Sequence, residues 1–217
     1  MTRNLKIDFV SDVSCPWCII GLRGLELALE RVAGEIAAEI HFQPFELNPA
    51  MGPEGQNIVE HIGEKYGSTP AQSAQNREMI RARAAELGFA FRMTETSRIY
   101  NTFDAHRLLH WAGMDSAAKQ RALKHALFRA YFTDGRAMSD HDVLVDVVAE
   151  AGLDAARAGE ILAGEAFAAE VRAQQKLYRD LGIHAVPAII IGERYLISGG
   201  QPVDLFERAL REIASAA

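Results

Sequence analysis

The sequence predicts an α/β protein in which a β-α-β unit opens the chain, helices fill the middle and a β-β-α unit follows. Runs of β-branched and aromatic residues concentrate in residues 5–47 and 186–198. Between these two regions apolar residues recur mainly at helical spacing. Glycine, proline and asparagine mark the breaks between elements. These three observations fix the order of the elements.

The opening unit has a recognisable boundary at each element. Leu5–Ser11 is predicted as a strand, and Pro16–Ala33 as a helix that ends at Gly34. Ile36–Leu47 is the second extended run. Residues 48–55 combine Asn, Pro and Gly, so they are predicted to form a loop.

The central part of the chain is predicted to be helical almost throughout. Capping residues and helix-ending glycines predict helices at Asn57–Tyr66, Pro70–Leu87, Asn101–Trp111, Ser116–Thr133, Asp140–Ala151, Asp154–Ala163 and Phe167–Leu181. Phe89–Met93 is predicted as a short extended piece. The chain then returns to β character, with strands at Val186–Ile191 and Tyr195–Ser198 before a helix at Val203–Ala214.

Composition and charge exclude several classes of function. The chain has 217 residues, of which 49% are hydrophobic and 24% charged, as is ordinary for a soluble globular protein. Its formal net charge of −6 argues against a nucleic-acid partner, because phosphate-binding surfaces carry a basic excess. No apolar run approaches the roughly 18 residues needed to cross a bilayer, so no membrane partner is expected. If Met1 is the native start, the lack of a signal-peptide pattern predicts a cytoplasmic protein.

The two cysteines of the chain, Cys15 and Cys18, lie at Cys-x-x-Cys spacing where a strand passes into a helix. A sulfur at a helix start faces unsatisfied N–H groups and the positive end of the helix dipole, which stabilise thiolate over thiol. Pro16 suits the first helical position. We therefore expect a dithiol–disulfide exchange site with Cys15 as nucleophile and Cys18 as resolving thiol. Two buried structural cysteines, or half of a zinc site, are the alternatives; no further cysteine exists to complete zinc ligation, so no metal is expected.

Four motifs in a fixed order give the chain a family resemblance. They lie at residues 8–18 (DFVSDVSCPWC), 44–49 (PFELNP), 101–108 (NTFDAHRL) and 182–188 (GIHAVPA). With these motifs the chain resembles the DsbA superfamily, and within it the FrnE-like branch of thioredoxin-like oxidoreductases. The resemblance implies a thioredoxin fold with a large all-helical insertion. It assigns residues 1–50 and 182–217 to the thioredoxin-like domain and residues 51–181 to the insertion.

The resemblance also implies which residues meet a substrate. Pro187 would be a cis proline that faces the cysteine pair, and Val186 would present its backbone to an extended substrate peptide. Pro16 and Trp17 would contact the substrate beside Cys15, and they set how well its thiolate is stabilised. A proline that begins a strand is also tolerated in trans, which is the alternative for Pro187.

Four further residues are weaker candidates, each with an ordinary solvated or satisfied position as the alternative. Asp8 lies in the strand before the motif, where related folds carry an acid that accepts the proton of the resolving thiol. Asp12 would oppose ionisation of Cys15 if it points inward, whereas a protonated His184 would favour it. Asn101 belongs to the third motif and is a candidate for substrate or thiol binding between the insertion and the thioredoxin core.

Three functional hypotheses follow. The first is a thiol–disulfide oxidoreductase acting on protein or small-molecule disulfides. It would need no cofactor beyond its own redox-active disulfide, and glutathione is a possible reductant. The second is a glutathione-dependent transferase or isomerase of the kappa or 2-hydroxychromene-2-carboxylate isomerase type, whose members carry serine where this chain has Cys15. The third is a redox-inert peptide-binding protein with chaperone-like activity. Relatives often dimerise, so the resemblance is compatible with a homodimer.

Overall fold

The computed structural model describes residues 3–216 and has the strands of its main sheet towards both ends of the chain. The strands are β1 (Arg3–Ser11), β2 (Ile36–Pro44), β3 (Gln56–Asn57), β4 (Arg98–Ile99), β5 (Ala188–Ile191) and β6 (Tyr195–Ser198). The helices are α1 (Pro16–Arg31), α2 (Ile58–Tyr66), α3 (Pro70–Glu86), α4 (Phe103–Asp115), α5 (Ala117–Phe132), α6 (His141–Glu150), α7 (Ala155–Ala163), α8 (Ala168–Asp180) and α9 (Val203–Ala216). Within residues 3–216, every helix is too short or too polar to span a bilayer.

The main sheet has four strands in the order β2-β1-β5-β6. β1 runs parallel to β2, which places Phe9 opposite Phe42, and antiparallel to β5, which places Phe9 opposite Ile189. β5 and β6 form an antiparallel hairpin. A parallel β-α-β unit joined in this order to an antiparallel hairpin and a final helix is the thioredoxin topology. The predicted fold class is therefore confirmed.

The two faces of the sheet pack against different helices because side chains alternate along β1. Phe9 is fully buried and faces α1, since its ring lies 3.8 Å from the point where a Cβ on Gly21 would be. Val10 points to the other face, where it packs with Tyr178 of α8. α1, which begins at the cysteine pair, therefore covers one face of the sheet and α8 lies against the other.

One apolar cluster runs from the sheet into the helical middle of the chain. It joins Phe9 of β1 and Leu25 of α1 to Leu127 and Phe128 of α5 and to Leu144 of α6. α5 packs against α4, α6 and β2, so it lies at the centre of this cluster. Helices between β2 and β5 thus share the core of the sheet, and this shared core fixes the position of α5 against β2.

The predicted helices are confirmed, with shifted ends. α4 begins at Phe103 rather than Asn101, because the Asn101 side-chain oxygen accepts a hydrogen bond from the Phe103 backbone N–H at 2.9 Å. The helix also continues to Asp115, past its predicted end at Trp111. The N-caps of the other insertion helices include Asn57, Thr69, Ser116, Asp140 and Asp154, whose side chains accept backbone N–H groups.

The β predictions differ from the structure at several places. β1 begins at Arg3 rather than Leu5, and β2 ends at Pro44 rather than Leu47. The third long strand begins at Ala188 rather than Val186, so Val186 is left outside the sheet beside the cysteines. Residues 89–93 form no strand; instead the Arg92 N–H donates to the Phe132 carbonyl oxygen at 2.8 Å. The sequence pattern does not predict β3 and β4, because strands of two residues carry no periodicity.

Candidate active site

Cys15 caps α1, as the sequence predicts. Its backbone is extended (φ −91°, ψ 114°), and Pro16 occupies the first turn of the helix. The Cys15 carbonyl oxygen accepts a hydrogen bond from the Cys18 N–H at 3.0 Å, so the two residues lie one turn apart. Both cysteines are free thiols; Cys15 is 4% exposed and Cys18 is completely buried. Cys15 is therefore the sulfur that an incoming molecule meets first.

The Cys15 thiol meets the backbone of the segment before β5. Its Sγ donates to the carbonyl oxygen of Val186 at 3.7 Å. The Val186–Pro187 peptide bond is cis, as the resemblance implied, and Pro187 is buried. The Pro187 carbonyl oxygen accepts the Gly199 N–H at 2.8 Å, which anchors this segment to the residues after β6. The structure thus brings Cys15, Val186 and Pro187 together.

The pKa of Cys18 is shifted by its surroundings. Burial raises the pKa of Cys18 well above its ordinary value, and the neighbouring Cys15 sulfur acts in the same direction. The positive charge of Lys124 and a hydrogen bond with the Asp12 backbone lower it by a smaller amount. Cys18 therefore remains a thiol at neutral pH until a base takes its proton.

Asp12 points inward and is fully buried. Its carboxylate accepts the backbone N–H of Leu47 at 2.7 Å and of Ser14 at 3.2 Å, and it lies 3.7 Å from Nε2 of His106. Burial raises the pKa of Asp12, but the hydrogen bond and charge of His106 and the two backbone donors outweigh burial and leave it lowered. The carboxylate therefore connects the loop before α1 to the residues after β2 and to α4.

The structure places three of the weaker sequence candidates in separate parts of the fold. Asp8 lies on the sheet face opposite α1, where its carboxylate accepts from the Gln43 side chain at 2.7 Å; it is not placed to take a proton from Cys18. Asn101 ties the loop before α4 to the loop after β2, because its amide donates to the Met51 carbonyl oxygen at 3.2 Å, and it does not line the cavity at Cys15. His184 is exposed and lines the same cavity as Cys15.

A cavity of about 810 Å³ opens in front of Cys15. Its walls are the start of α1 with Pro16 and Trp17, the segment 45–48 after β2, helices α2 and α3, and residues 184–186. Phe91, Met93, Tyr131 and Phe132 supply an apolar part of the lining. The cavity therefore lies between the thioredoxin-like sheet and the inserted helices, with Cys15 in its wall.

Cations line this cavity more than acids do. Lys65 of α2 donates to the Leu47 carbonyl oxygen at 2.8 Å, and Arg77 of α3 donates to the Ser73 hydroxyl at 3.1 Å. The lining contains one carboxylate, Glu46, which Arg172 pairs with from outside the cavity. Sequence reasoning misses Lys65 and Arg77 because a charged residue on an amphipathic helix is normally solvated. Only the packing of α2 and α3 shows that both line the same cavity as Cys15.

Comparison with known proteins agrees with this geometry. Residues 6–211 match the model of the DSBA-like thioredoxin domain. A probable DsbA oxidoreductase from Streptomyces coelicolor is 33% identical, with a TM-score of 0.89, over 98% of this chain and 90% of that chain. The Bacillus subtilis protein YwbO is 27% identical over 98% of this chain and 98% of its own. The cytosolic disulfide reductase DsbM of Pseudomonas aeruginosa, also solved with glutathione, shares the fold at 19% identity, with a TM-score of 0.64 over 98% of this chain and 100% of that chain. Because the domain model spans nearly the whole sequence and the Streptomyces structure superposes on nearly the whole fold, this protein belongs to the family of DSBA-like thioredoxin domains.

Proposed function

We propose that this protein is a thiol–disulfide oxidoreductase that uses Cys15 and Cys18 to exchange with small disulfides entering the cavity. One observation carries the proposal: Sγ of Cys15 lies at a helix start in the cavity wall, 3.7 Å from the Val186 carbonyl oxygen, with the buried Cys18 one turn further in. The oxidoreductase name of the Streptomyces coelicolor relative supports the same reaction class.

The reaction follows from the order of the two sulfurs. In the reductive direction the Cys15 thiolate attacks one sulfur of the substrate disulfide, forms a mixed disulfide and releases the other substrate sulfur as a thiolate. Cys18 then loses its proton and attacks Sγ of Cys15. This attack closes the Cys15–Cys18 disulfide and releases the second substrate thiolate. Two electrons pass to the substrate, and the oxidative direction is the same sequence reversed.

The shape and charge of the cavity favour a small anionic disulfide as substrate. Its volume of about 810 Å³ lies within the roughly 300–1,000 Å³ usual for small-molecule sites. Lys65 and Arg77 give it cationic walls, which attract carboxylates. Glutathione disulfide combines a disulfide with several carboxylates, and the glutathione complex of the Pseudomonas aeruginosa reductase supports this choice. The cytosolic location of that reductase also supports a cytoplasmic location here.

Turnover of glutathione disulfide by the reduced protein tests the proposal. We expect the wild type to form a Cys15–Cys18 disulfide in glutathione buffers and to consume glutathione disulfide. Cys15→Ser should abolish turnover, whereas Cys18→Ser should accumulate one glutathione adduct on Cys15, visible by mass spectrometry. The proposal fails if the pair does not close in the wild type, or if Cys15→Ser keeps full turnover.

A glutathione-dependent transferase or isomerase is the second candidate, and the cationic lining of the cavity favours it. Such an enzyme needs a bound thiol peptide beside a reacting molecule, and 2-hydroxychromene-2-carboxylate isomerase shares this fold. The Cys15→Ser variant separates the two functions. Conjugation or isomerisation that persists in this variant, together with lost disulfide turnover, would assign the cavity to glutathione transfer chemistry as well.

A further inference from the structure

The cavity in front of Cys15 has a floor of buried apolar side chains. Five lining residues are between 1% and 6% exposed, whereas Tyr66 at the mouth is 61% exposed; the five are Phe91, Met93, Ile99, Tyr131 and Phe132. The rings of Phe91 and Phe132 stack with their centroids 5.1 Å apart, and the Tyr131 ring meets that of Phe132 edge-on at 4.7 Å. These five residues, the apolar floor, therefore form a packed surface rather than isolated contacts.

Helix α2 runs from the apolar floor to the cationic part of the cavity. Its first residue, Ile58, lines the cavity and donates its backbone N–H to the Ser97 carbonyl oxygen at 2.9 Å. Ser97 directly precedes β4, which supplies Ile99 to the floor. Seven residues after Ile58, Lys65 donates to the Leu47 carbonyl oxygen at 2.8 Å. At 1.5 Å of rise per residue, the apolar and the cationic ends of α2 are about 10 Å apart.

The cationic end lies on the side of the loop that carries Cys15. Leu47, whose carbonyl oxygen holds Lys65, donates its own backbone N–H to the buried carboxylate of Asp12 at 2.7 Å. The Asp12 carbonyl oxygen in turn accepts the Cys15 N–H at 3.3 Å. A chain of hydrogen bonds thus connects Lys65 to the cap of α1. The cavity therefore offers a cation on the side of the cysteine loop and an apolar floor about 10 Å further along α2.

The apolar floor does not suit a second polar peptide arm of a substrate. A glutathionyl arm carries amide and carboxylate groups, which lose their hydrogen bonds to water when they are buried against apolar side chains. Among the five floor residues only Tyr131 has an O–H or N–H group in its side chain, and that hydroxyl already donates to the Arg98 carbonyl oxygen at 3.0 Å. An apolar arm gains at the same place, because removing its surface from water is favourable.

We propose that the preferred substrate is a mixed disulfide with one anionic arm, held at Lys65, and one apolar arm, held on the apolar floor. The Cys15 thiolate attacks one sulfur of this disulfide, and the other sulfur leaves as a thiolate. Cys18 then closes the Cys15–Cys18 disulfide and releases the second arm. The dithiol of the protein loses two electrons and two protons, and the two arms leave as separate thiols. This proposal rests on the proposed exchange function and names its substrate class.

A series of glutathione mixed disulfides tests the preference. The second arm is phenylethyl, butyl or hydroxyethyl thiol, and glutathione disulfide completes the series. The reduced protein is mixed with each compound, and closure of its Cys15–Cys18 disulfide is followed in a single turnover. Each second-order rate constant is divided by that of the same compound with dithiothreitol, which removes differences in intrinsic reactivity. We expect the phenylethyl compound to react at least about tenfold faster than glutathione disulfide on this scale, with the butyl compound between them.

Ile80→Thr and Met79→Thr are a matched pair of variants on α3. Ile80 lines the cavity and packs against the cluster that contains Phe91 and Phe132, whereas Met79 is 47% exposed and does not line the cavity. Ile80→Thr should lower the ratio of the phenylethyl rate to the glutathione disulfide rate about threefold to tenfold, because a hydroxyl replaces apolar surface. Met79→Thr should keep the wild-type ratio. A general loss of structure would lower both rates together and leave their ratio unchanged.

The outcomes separate this proposal from the function on which it rests. If the wild type reacts with all four compounds at equal normalised rates, or prefers glutathione disulfide, the substrate class is wrong and the oxidoreductase function stands. If the wild type reacts with none of them, the function fails and this proposal fails with it. Should Ile80→Thr not fold, the wild-type series alone decides. A folded Ile80→Thr that keeps the wild-type ratio would overturn the assignment of the apolar arm to the floor.

Discussion

The Sγ of Cys15 lies 3.7 Å from the carbonyl oxygen of Val186, although 171 residues separate them in sequence. The antiparallel pairing of β1 with β5 creates this contact, because Val10 of β1 lies opposite Ala188, two residues after Val186. The contact places the backbone of Val186, which lies just outside the sheet, beside the sulfur. Its geometry depends on how closely α1 approaches Pro187.

Gly21 allows that close approach, so Gly21→Ala should widen the site. An added Cβ would lie 3.1 Å from Cγ of Pro187 and 3.3 Å from Cα of Gly200, closer than ordinary contact. Overpacking of this kind costs about 1–3 kcal/mol. We expect a lower urea midpoint and a several-fold lower kcat/KM for glutathione disulfide. Gly34→Ala is the control, since its Cβ would meet nothing within 4 Å. Equal losses in both variants would contradict the argument.

Local signals made the cysteine site predictable from sequence. The strand, the Cys15 cap and Pro16 at the helix start are consecutive, and each has its own pattern. The sequence alone could not place Asp8, because alternation along β1 gives two faces without saying which one α1 covers. The cis geometry at Pro187 came from family resemblance rather than from any local pattern.

Lys124 is buried, and the sequence around it is consistent with burial. It follows Leu123 and precedes Leu127 and Phe128, so a lysine interrupts an otherwise apolar helix face. A lysine at such a position is usually assumed to extend its amine to solvent. Its burial depends on the shared core that packs α5 against α4, α6 and β2, and no pattern within α5 encodes that packing.

The cations of the cavity should govern affinity for an anionic substrate. Arg77→Gln and Lys65→Met should each raise KM for glutathione disulfide about threefold to tenfold, or roughly 0.6–1.4 kcal/mol, with kcat nearly unchanged. The effect should shrink as salt rises from 0.05 M to 0.5 M, because salt screens exposed charges. Steady-state kinetics at both salt concentrations measures it.

Arg157→Gln is the matched control for these charge removals. Arg157 pairs with Glu160 on the exposed side of α7 and does not line the cavity. It removes the same charge from the protein as a whole and should leave KM as in the wild type. An equal rise in KM for Arg157→Gln would mean that net charge alone, and not the cavity wall, attracts the substrate.

Glu26 should stabilise the fold in a pH-dependent way. Its buried carboxylate accepts from Arg23 on α1 and from Arg121 and His125 on α5, each at 2.7 Å. Burial raises the pKa of Glu26, but His125 and the two arginines outweigh burial and lower it to about 2. Since the folded pKa lies below the unfolded one, the stabilisation is complete above about pH 4.5 and disappears as the pH falls through about 2.

Glu26→Gln should therefore cost about 3 kcal/mol at pH 7. The difference in urea unfolding free energy between wild type and variant should narrow between pH 5 and pH 2. Glu30→Gln, an exposed position on the same helix, should change stability by less than about 0.5 kcal/mol at any pH. A difference between wild type and Glu26→Gln that stays constant down to pH 2 would show that packing, and not the carboxylate charge, carries the effect.

Arg107 should be the least replaceable cation of the inserted helices. Its buried guanidinium donates through Nε to the Ala166 carbonyl oxygen at 2.9 Å, and also to the carbonyl oxygens of Ile161 and Gly164, so it satisfies the end of α7. It also pairs with Asp104 one turn earlier on α4, at 2.7 Å.

Arg107→Lys keeps the charge but loses the planar fork that reaches several oxygens at once. Buried carbonyls left without donors cost about 1–3 kcal/mol each, so we expect at least about 2 kcal/mol lost in urea unfolding. Arg208→Lys, exposed on α9, is the control and should be neutral. Because α4 also carries His106, which lies 3.7 Å from the carboxylate of Asp12 in the loop before Cys15, loosening α4 should slow alkylation or exchange at Cys15 as well. Unchanged stability in Arg107→Lys would show that a point charge suffices there and that the carbonyls of residues 161–166 find other donors.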